Sequence, residues 1–258
     1  MKYFHIKYRK KLLKYINRII SIAGIKIIID DNPYPIEIKP ENKKLIEFAK
    51  LNGMSSNIRF VELINSVDYI LKNKIKGDFV ECGVWRGANL VVMQKLLERN
   101  RISNIKVYGF DTFEGMSEPT EYDYDYMGNS AKDAMKKPKK EGRGIWAYST
   151  YERARNYCDN SVDQPENIIF VKGKVEETLI KQENLPNSIS LLRLDTDFYE
   201  STKIELEVLF PLLTKGGVLI IDDYGHFRGS QKAVDEYFKN QNIWLKYVDY
   251  SCRLYVKD

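Results

Sequence analysis

Apolar positions along the chain change their period twice. Over 57–71, Ile58, Val61, Leu63, Ile64, Val67 and Leu71 recur at three- and four-residue intervals, which predicts a helix with one buried face. From residue 78 the pattern becomes short apolar runs at 78–84, 105–110, 167–171, 189–194 and 218–221. Amphipathic segments at 87–99, 150–158, 175–181, 200–213 and 229–240 separate or follow them. Parallel strands need long crossovers, and a helix is the usual one, so this alternation predicts an α/β fold: a doubly wound, mainly parallel sheet of Rossmann-like type. Two last apolar runs, 244–250 and 253–256, are too close for a crossover and predict an antiparallel hairpin at the sheet edge.

Two stretches lie outside this rhythm. Residues 1–20 are basic, with Phe4, Leu12, Ile16 and Ile20 spaced as one face of a helix. The expected role is packing on the main domain or a second subunit, with peripheral membrane contact as the alternative. Pro33, Pro35 and Pro40 mark 30–40 as a linker. The chain therefore divides into an N-terminal extension, 1–45, and a main domain, 46–258. Within the latter, 116–149 is charged and Tyr-rich (Tyr122, Tyr124, Tyr126, then lysines at 136–140), and so long a connection after a strand end reads as a lid over the ligand face. Tyr122, Tyr126, Trp146 and Tyr148 are its candidates for stacking on a sugar or aromatic group, although aromatics serve packing more often.

Composition narrows the chemistry. The 258 residues are 43% hydrophobic and 30% charged, with a net charge of +5, which is ordinary globular composition and too mild a charge to imply nucleic acid. No run spans a bilayer, and the short apolar stretch at 19–23 is followed at once by Lys26, Asp30 and Asp31, unlike a signal peptide. Cys82, Cys158 and Cys252 are odd in number and widely spaced, which fits a reducing cytoplasm and no zinc site. With only His5 and His226, any metal must be a hard ion on oxygen ligands, such as Mg²⁺.

Ligands of open α/β sheets sit beyond the carboxyl ends of the strands. The first strand ends in Glu81-Cys82-Gly83-Val84-Trp85-Arg86-Gly87. This acidic-x-Gly-x-x-x-Gly pattern lacks the glycine cradle of a pyrophosphate site and suits S-adenosylmethionine, whose amino-acid end carries no phosphate. Alone it is equally an ordinary strand-turn-helix. The second strand ends in Asp111-Thr112, where an acid can accept from both ribose hydroxyls or cap a helix. Gly173 after the third run admits an adenine ring or serves a turn. The fourth and fifth runs end in Asp195-Thr196-Asp197 and Asp222-Asp223-Tyr224, and adjacent central strands would gather Asp195, Asp222 and Asp223. Grouped carboxylates repel, and a divalent cation answers that repulsion. Such an ion lowers the pKa of a bound hydroxyl, and a neighbouring carboxylate can take the proton. Asp197 reads as a helix or loop cap. His226 reads as a base, an acceptor-side contact or a loop residue.

Four ordered motifs, at 77–87, 110–116, 194–202 and 216–225, together with Gly53-Met54-Ser55-Ser56 and the stretch 231–238, resemble the macrocin O-methyltransferase family of sugar O-methyltransferases. The resemblance covers roughly 50–240. It implies a class I methyltransferase fold, S-adenosylmethionine as donor, Mg²⁺, and a deoxysugar hydroxyl as acceptor. It implies Asp195, Asp222 and Asp223 as metal ligands, with Asp195 the base; His226 joins Asp195 as a catalytic candidate only through its place after the fifth run. The resemblance implies Glu81, Gly83 and Asp111 as donor-holding residues, with Met54 and Ser56 near the donor pocket; Val84, Thr112, Gly173 and Asp195, at the same strand ends, complete the candidate donor site. Lys174 and the end 251–256 depart from the family pattern, and 1–45 lies outside it. The Lys/Ile/Asn-rich composition favours a bacterial surface polysaccharide over an antibiotic as the acceptor. A homo-oligomer is expected. A catechol-like phenol as acceptor, or a binder of S-adenosylmethionine or glycan without turnover, are the competing readings; three gathered carboxylates argue against the second.

Overall fold

The computed structural model describes residues 34–258, and the expected helix over 1–20 lies outside them. Residues 36–258 form one compact unit. Helix α1, Pro40–Ala49, opens on the proline expected to close the linker. Its fixed φ and missing N–H suit a first helical turn. The helix runs across the expected 45/46 boundary, so that boundary marks no break between elements. Helix α2, Asn57–Lys72, follows.

The sheet has seven strands in the order β3-β2-β1-β4-β5-β7-β6. These are β1 Asp78–Cys82, β2 Val107–Asp111, β3 Ile168–Lys172, β4 Ile189–Leu194, β5 Leu213–Ile221, β6 Lys246–Tyr247 and β7 Arg253–Val256. The first five pair in parallel, and β7 pairs antiparallel with both β5 and β6. The strand order therefore reverses between β1 and β4, the switch point at which such sheets open a crevice. The crossover helices are α3 Ala88–Arg99, α5 Tyr151–Asp159, α6 Val175–Thr178, α7 Tyr199–Leu209 and α8 Arg228–Tyr237, with a single turn, α4 Ala131–Ala134, in the 116–149 insertion.

Several element ends differ from the sequence expectation. Strand β5 begins at Leu213 rather than 218, because an irregularity opposite Ile189 and Leu191 absorbs the Gly216-Gly217 pair, and α7 accordingly stops at Leu209. Strand β6 shrinks to two residues, because the Asp249 carboxylate takes the N–H groups of Ser251 and Cys252 and makes a turn there.

Side chains alternate across each strand. Val80, Cys82, Leu192, Leu194, Leu219 and Ile221 face a core completed by Leu206, Leu209, Val234 and Phe238 of the α7–α8 layer. Each such large aliphatic side chain contributes about 1.5–3 kcal/mol by leaving water. Glu81 and Arg193, neighbours in register, face the opposite layer, where α2 and α3 pack. Two charged residues in the centre of a sheet need partners, and those partners build the site.

Candidate functional site

Beyond the carboxyl ends of β1, β4 and β5 lies a cavity of about 450 Å³, lined by Gly53, Met54, Arg59, Gly83, Trp85, Asn89, Asp195, Asp197, Asp222, Asp223, His226 and Tyr250, and roofed by 125–147 of the insertion. A smaller recess of about 90 Å³ adjoins it beyond β2, between Phe110, Asp111, Thr112, Gly173, Val175, Thr196 and Ser201. The two share Met54, Gly83, Trp85, Ala147, Asp195 and Asp197.

Gly83 is required where the two meet. Its φ is 87°, and a Cβ there would overlap the Asp195 carbonyl oxygen. Bare backbone thus forms the wall between the β1 and β4 loops. Asp111 organises the same wall. One of its oxygens accepts from the N–H groups of Val84 and Trp85, both at 2.8 Å, and the other accepts from Phe113 at 2.6 Å. Trp85 and Phe113 have left-handed φ of 52°, and these three bonds hold that uncommon backbone in place. Burial nonetheless raises the Asp111 pKa, the three N–H groups opposing the rise. The three N–H groups leave one of its four lone pairs, where acceptance from two hydroxyls was expected. Thr112 donates to the Gly115 carbonyl at 2.6 Å and faces the recess.

The centre of the site is Arg193, which is 2% exposed. One guanidinium nitrogen donates to Glu81 and Asp195 at 2.6 Å each; the other donates to Asp222 at 2.6 Å and Ser55 at 3.3 Å. Arg59 clasps the second Asp222 oxygen and bonds Asp249 through Nε at 2.8 Å. Acids and guanidiniums therefore alternate from Glu81 to Asp249. Glu81 also accepts from Asn89 at 2.7 Å, while its Oε2 is buried without a partner. Burial outweighs Arg193 and lifts the Glu81 pKa to about 7.

Asp195, Asp197 and Asp223 offer carboxylate oxygens that all lie within 4.8 Å of one another. Burial, then neighbouring carboxylates, raises the pKa of Asp223 well above the usual range, and burial lifts Asp197 to about 7. Asp223 Oδ2 is buried without a partner. Asp197 has a left-handed φ of 69°, and the N-cap residue of α7 is Phe198, so Asp197 is a member of the cluster rather than the expected cap. An all-oxygen set with an orphaned buried oxygen and mutual repulsion fits a hard divalent ion.

Measured against the expected set, the trio contains Asp195 and Asp223 and has Asp197 where Asp222 was expected; Arg193 and Arg59 each hold one Asp222 oxygen. Ser56 caps α2, accepting from Arg59 N–H at 3.4 Å and donating to Asp249 at 3.2 Å. It lines neither cavity; the adjacent Ser55 does. Met54, Gly83, Val84, Asp111, Thr112, Gly173, Asp195 and His226 do face these cavities. His226 lies 3.1 Å from the Tyr250 hydroxyl through Nδ1 and packs against Tyr126 and Tyr250; burial lowers its pKa. Of the expected lid aromatics, Tyr126 reaches this group, whereas Tyr122 packs on Tyr199 and Trp146 bonds the Lys137 carbonyl. Arg193, Arg59, Asn89, Asp249 and Tyr250 were not anticipated. Arg193 alone carried a signal, as a charge inside the run Leu191-Leu192-Arg193-Leu194.

The sequence model of the macrocin-O-methyltransferase (TylF) family matches residues 49–257. The chain is similar to the demethyldecarbamoylnovobiocin O-methyltransferase of Streptomyces niveus, at 29% identity over 208 residues, or 80% of this chain and 74% of that protein. It is 31% identical over 173 residues to the 8-demethyl-8-(2,3-dimethoxy-alpha-L-rhamnosyl)-tetracenomycin-C 4'-O-methyltransferase of Streptomyces olivaceus, covering 66% of this chain and 61% of that protein. Among solved structures, the O-methyltransferase NovP superposes with a TM-score of 0.68 at 27% identity, over 80% of this chain and 82% of its own.

Proposed function

The chain belongs to the macrocin-O-methyltransferase family, a family of S-adenosylmethionine-dependent O-methyltransferases with the class I fold, and we propose that it methylates a sugar hydroxyl with the help of a divalent ion held by its aspartate cluster. The observation that carries the reading is the convergence of Asp195, Asp197 and Asp223 at the junction of the two cavities. The recess beyond β2 suits the nucleoside of the donor. The larger cavity, under Tyr126, His226 and Tyr250, suits the acceptor. Both relatives named above act on natural products, and the second is named for a rhamnosyl group. A deoxysugar of a surface polysaccharide or of a glycosylated natural product is the acceptor class proposed here.

A divalent ion in this place supplies Lewis acidity that lowers the pKa of a hydroxyl bound to it. Asp195 and Asp223 are its proposed ligands, with a third carboxylate drawn from Asp197 or Asp222. Asn exchanges at these last two positions identify it: the one that weakens Mg²⁺ binding is the ligand. Arg193 holds one oxygen of Asp195, so in this reading the other oxygen faces both the ion and the acceptor hydroxyl, with a lone pair for each. Asp195 is then placed to take the hydroxyl proton as the oxygen–carbon bond forms and the sulfur–carbon bond of the donor breaks, releasing a neutral thioether. His226, its basicity reduced by burial, is assigned to orient the acceptor with Tyr250 and Tyr126.

The test is calorimetric titration of S-adenosylmethionine with and without Mg²⁺, followed by labelled-methyl transfer to a panel of nucleotide-activated deoxysugars, rhamnosides and catechols, with and without chelator. Micromolar donor binding and chelator-sensitive labelling of a sugar are expected. Labelling of catechols alone would replace the acceptor class, and full turnover in chelator would remove the ion.

A further inference from the structure

A buried carboxylate is among the points that fasten the insertion roofing the acceptor cavity. Asp123 is 1% exposed. One of its carboxylate oxygens accepts from the Tyr199 backbone N–H at 2.8 Å, the first N–H of α7. The other accepts from the backbone N–H and hydroxyl of Thr120, at 2.6 and 2.8 Å. The Asp123 carbonyl receives the N–H of Ala131 at 2.9 Å, which starts the only helical turn of the insertion, and the next carbonyl, of Tyr124, receives the N–H of Arg228 at the start of α8 at 2.8 Å. A single stretch of insertion thus takes the first N–H of α7 and of α8, the helices that follow the strands leading to the aspartate cluster.

Gly229 is shaped to this latch. It lies in the first turn of α8, where glycine costs about 1 kcal/mol against alanine. A Cβ at 229 would overlap the Asp123 carboxylate oxygen that bonds Tyr199. Tyr199 stands two residues beyond Asp197, and the intervening Phe198 packs with Phe227 and Ala131 in a small apolar cluster. The latch therefore bears on the insertion and on the aspartate loop together.

We propose that Asp123 is a positioning residue, which sets the roof of the acceptor cavity and the Asp195–Asp197 loop in a fixed relation to one another. The inference rests on the reading of the aspartate loop as the ion site, but its first test does not. Lys136, Lys139 and Lys140 are exposed in the insertion and offer cleavage sites to trypsin. In Asp123→Ala and, independently, in Gly229→Ala, cleavage there is expected to quicken about tenfold as the insertion opens more often. The second variant raises the helix propensity of α8, so its effect is not a weakened helix. Mg²⁺ affinity, read by calorimetry, is expected to fall about fivefold in Asp123→Ala, the factor that loss of one helix cap carries. Asp123→Asn, which keeps a carbonyl oxygen facing Tyr199, is expected to restore most of it, and donor affinity is expected to change by less than about twofold in all three. Wild-type cleavage rates in both alanine variants would overturn the proposal. Faster cleavage with unaltered Mg²⁺ affinity would confine Asp123 to the roof and overturn its link to the aspartate loop. If the wild type binds no Mg²⁺, the ion reading fails on its own, and the cleavage rates still decide whether the latch exists.

Discussion

At the residue scale, the chemistry depends on charges that could not stand alone. Arg193 bonds Glu81, Asp195 and Asp222 at once, and removal of one partner from a buried ionic group costs more than the group contributed. Arg193→Met should lower the unfolding free energy by about 3–5 kcal/mol, measured by urea titration. Asp195→Asn keeps the shape but not the basicity, so methyl transfer should drop about 100- to 10,000-fold with donor affinity little changed; near wild-type turnover would reject Asp195 as base. Sequence reading found the acids because they terminate apolar runs, where ligands of this fold class bind. It missed the guanidiniums that hold them. Arg59 sits on a helix, and nothing local says that its face meets Asp222, 163 residues further on. Asp197 looked like a cap because it precedes a helix, yet its left-handed backbone turns it toward Asp223.

At the element scale, periodicity placed nearly every helix and strand, because side-chain alternation and the helical repeat are written directly into the order of apolar residues. It failed where tertiary hydrogen bonds decide an element's end, at the Asp249 turn that shortens β6 and the irregularity that lengthens β5. Ser56 shows the same limit: the motif around it pointed to the donor, and the structure uses it to start α2. Ser56→Ala should therefore cost about 1 kcal/mol of stability in thermal or urea unfolding. Donor affinity should stay within about twofold, since the site lies beyond a cap's reach. A large loss of donor binding with unchanged stability would return Ser56 to the cofactor site.

At the scale of the whole molecule, the site collects more negative than positive charge at one end of the sheet, and pH and cations act on that imbalance. The Glu81 pKa lies near 7 in the folded protein against 4.5 for the free side chain. A carboxyl with a raised folded pKa binds its proton more tightly when folded, so its contribution to stability falls as pH rises from about 4.5 through about 7. Glu81→Gln should thus gain stability relative to the wild type between pH 5 and 8, by an amount of order 2–3 kcal/mol in urea titrations run in chelator. A flat difference would place the ionised Glu81 in a better-compensated setting than its burial implies. Mg²⁺ competes with protons for carboxylates, so the rise in melting temperature on adding Mg²⁺ should be larger at pH 8 than at pH 5.5. The sequence by itself determined the layered α/β architecture, the strand ends that carry the acids and the family to which the chain belongs. Those follow from local periodicity and from motifs contiguous in the chain. Only the tertiary structure decided that Asp195, Asp197 and Asp223 lie together, that Arg193 and Arg59 bond both oxygens of Asp222, and that Asp123 of the insertion bonds the first N–H of α7. Each of those is a contact between distant segments, set by strand order, register and the direction of single side chains.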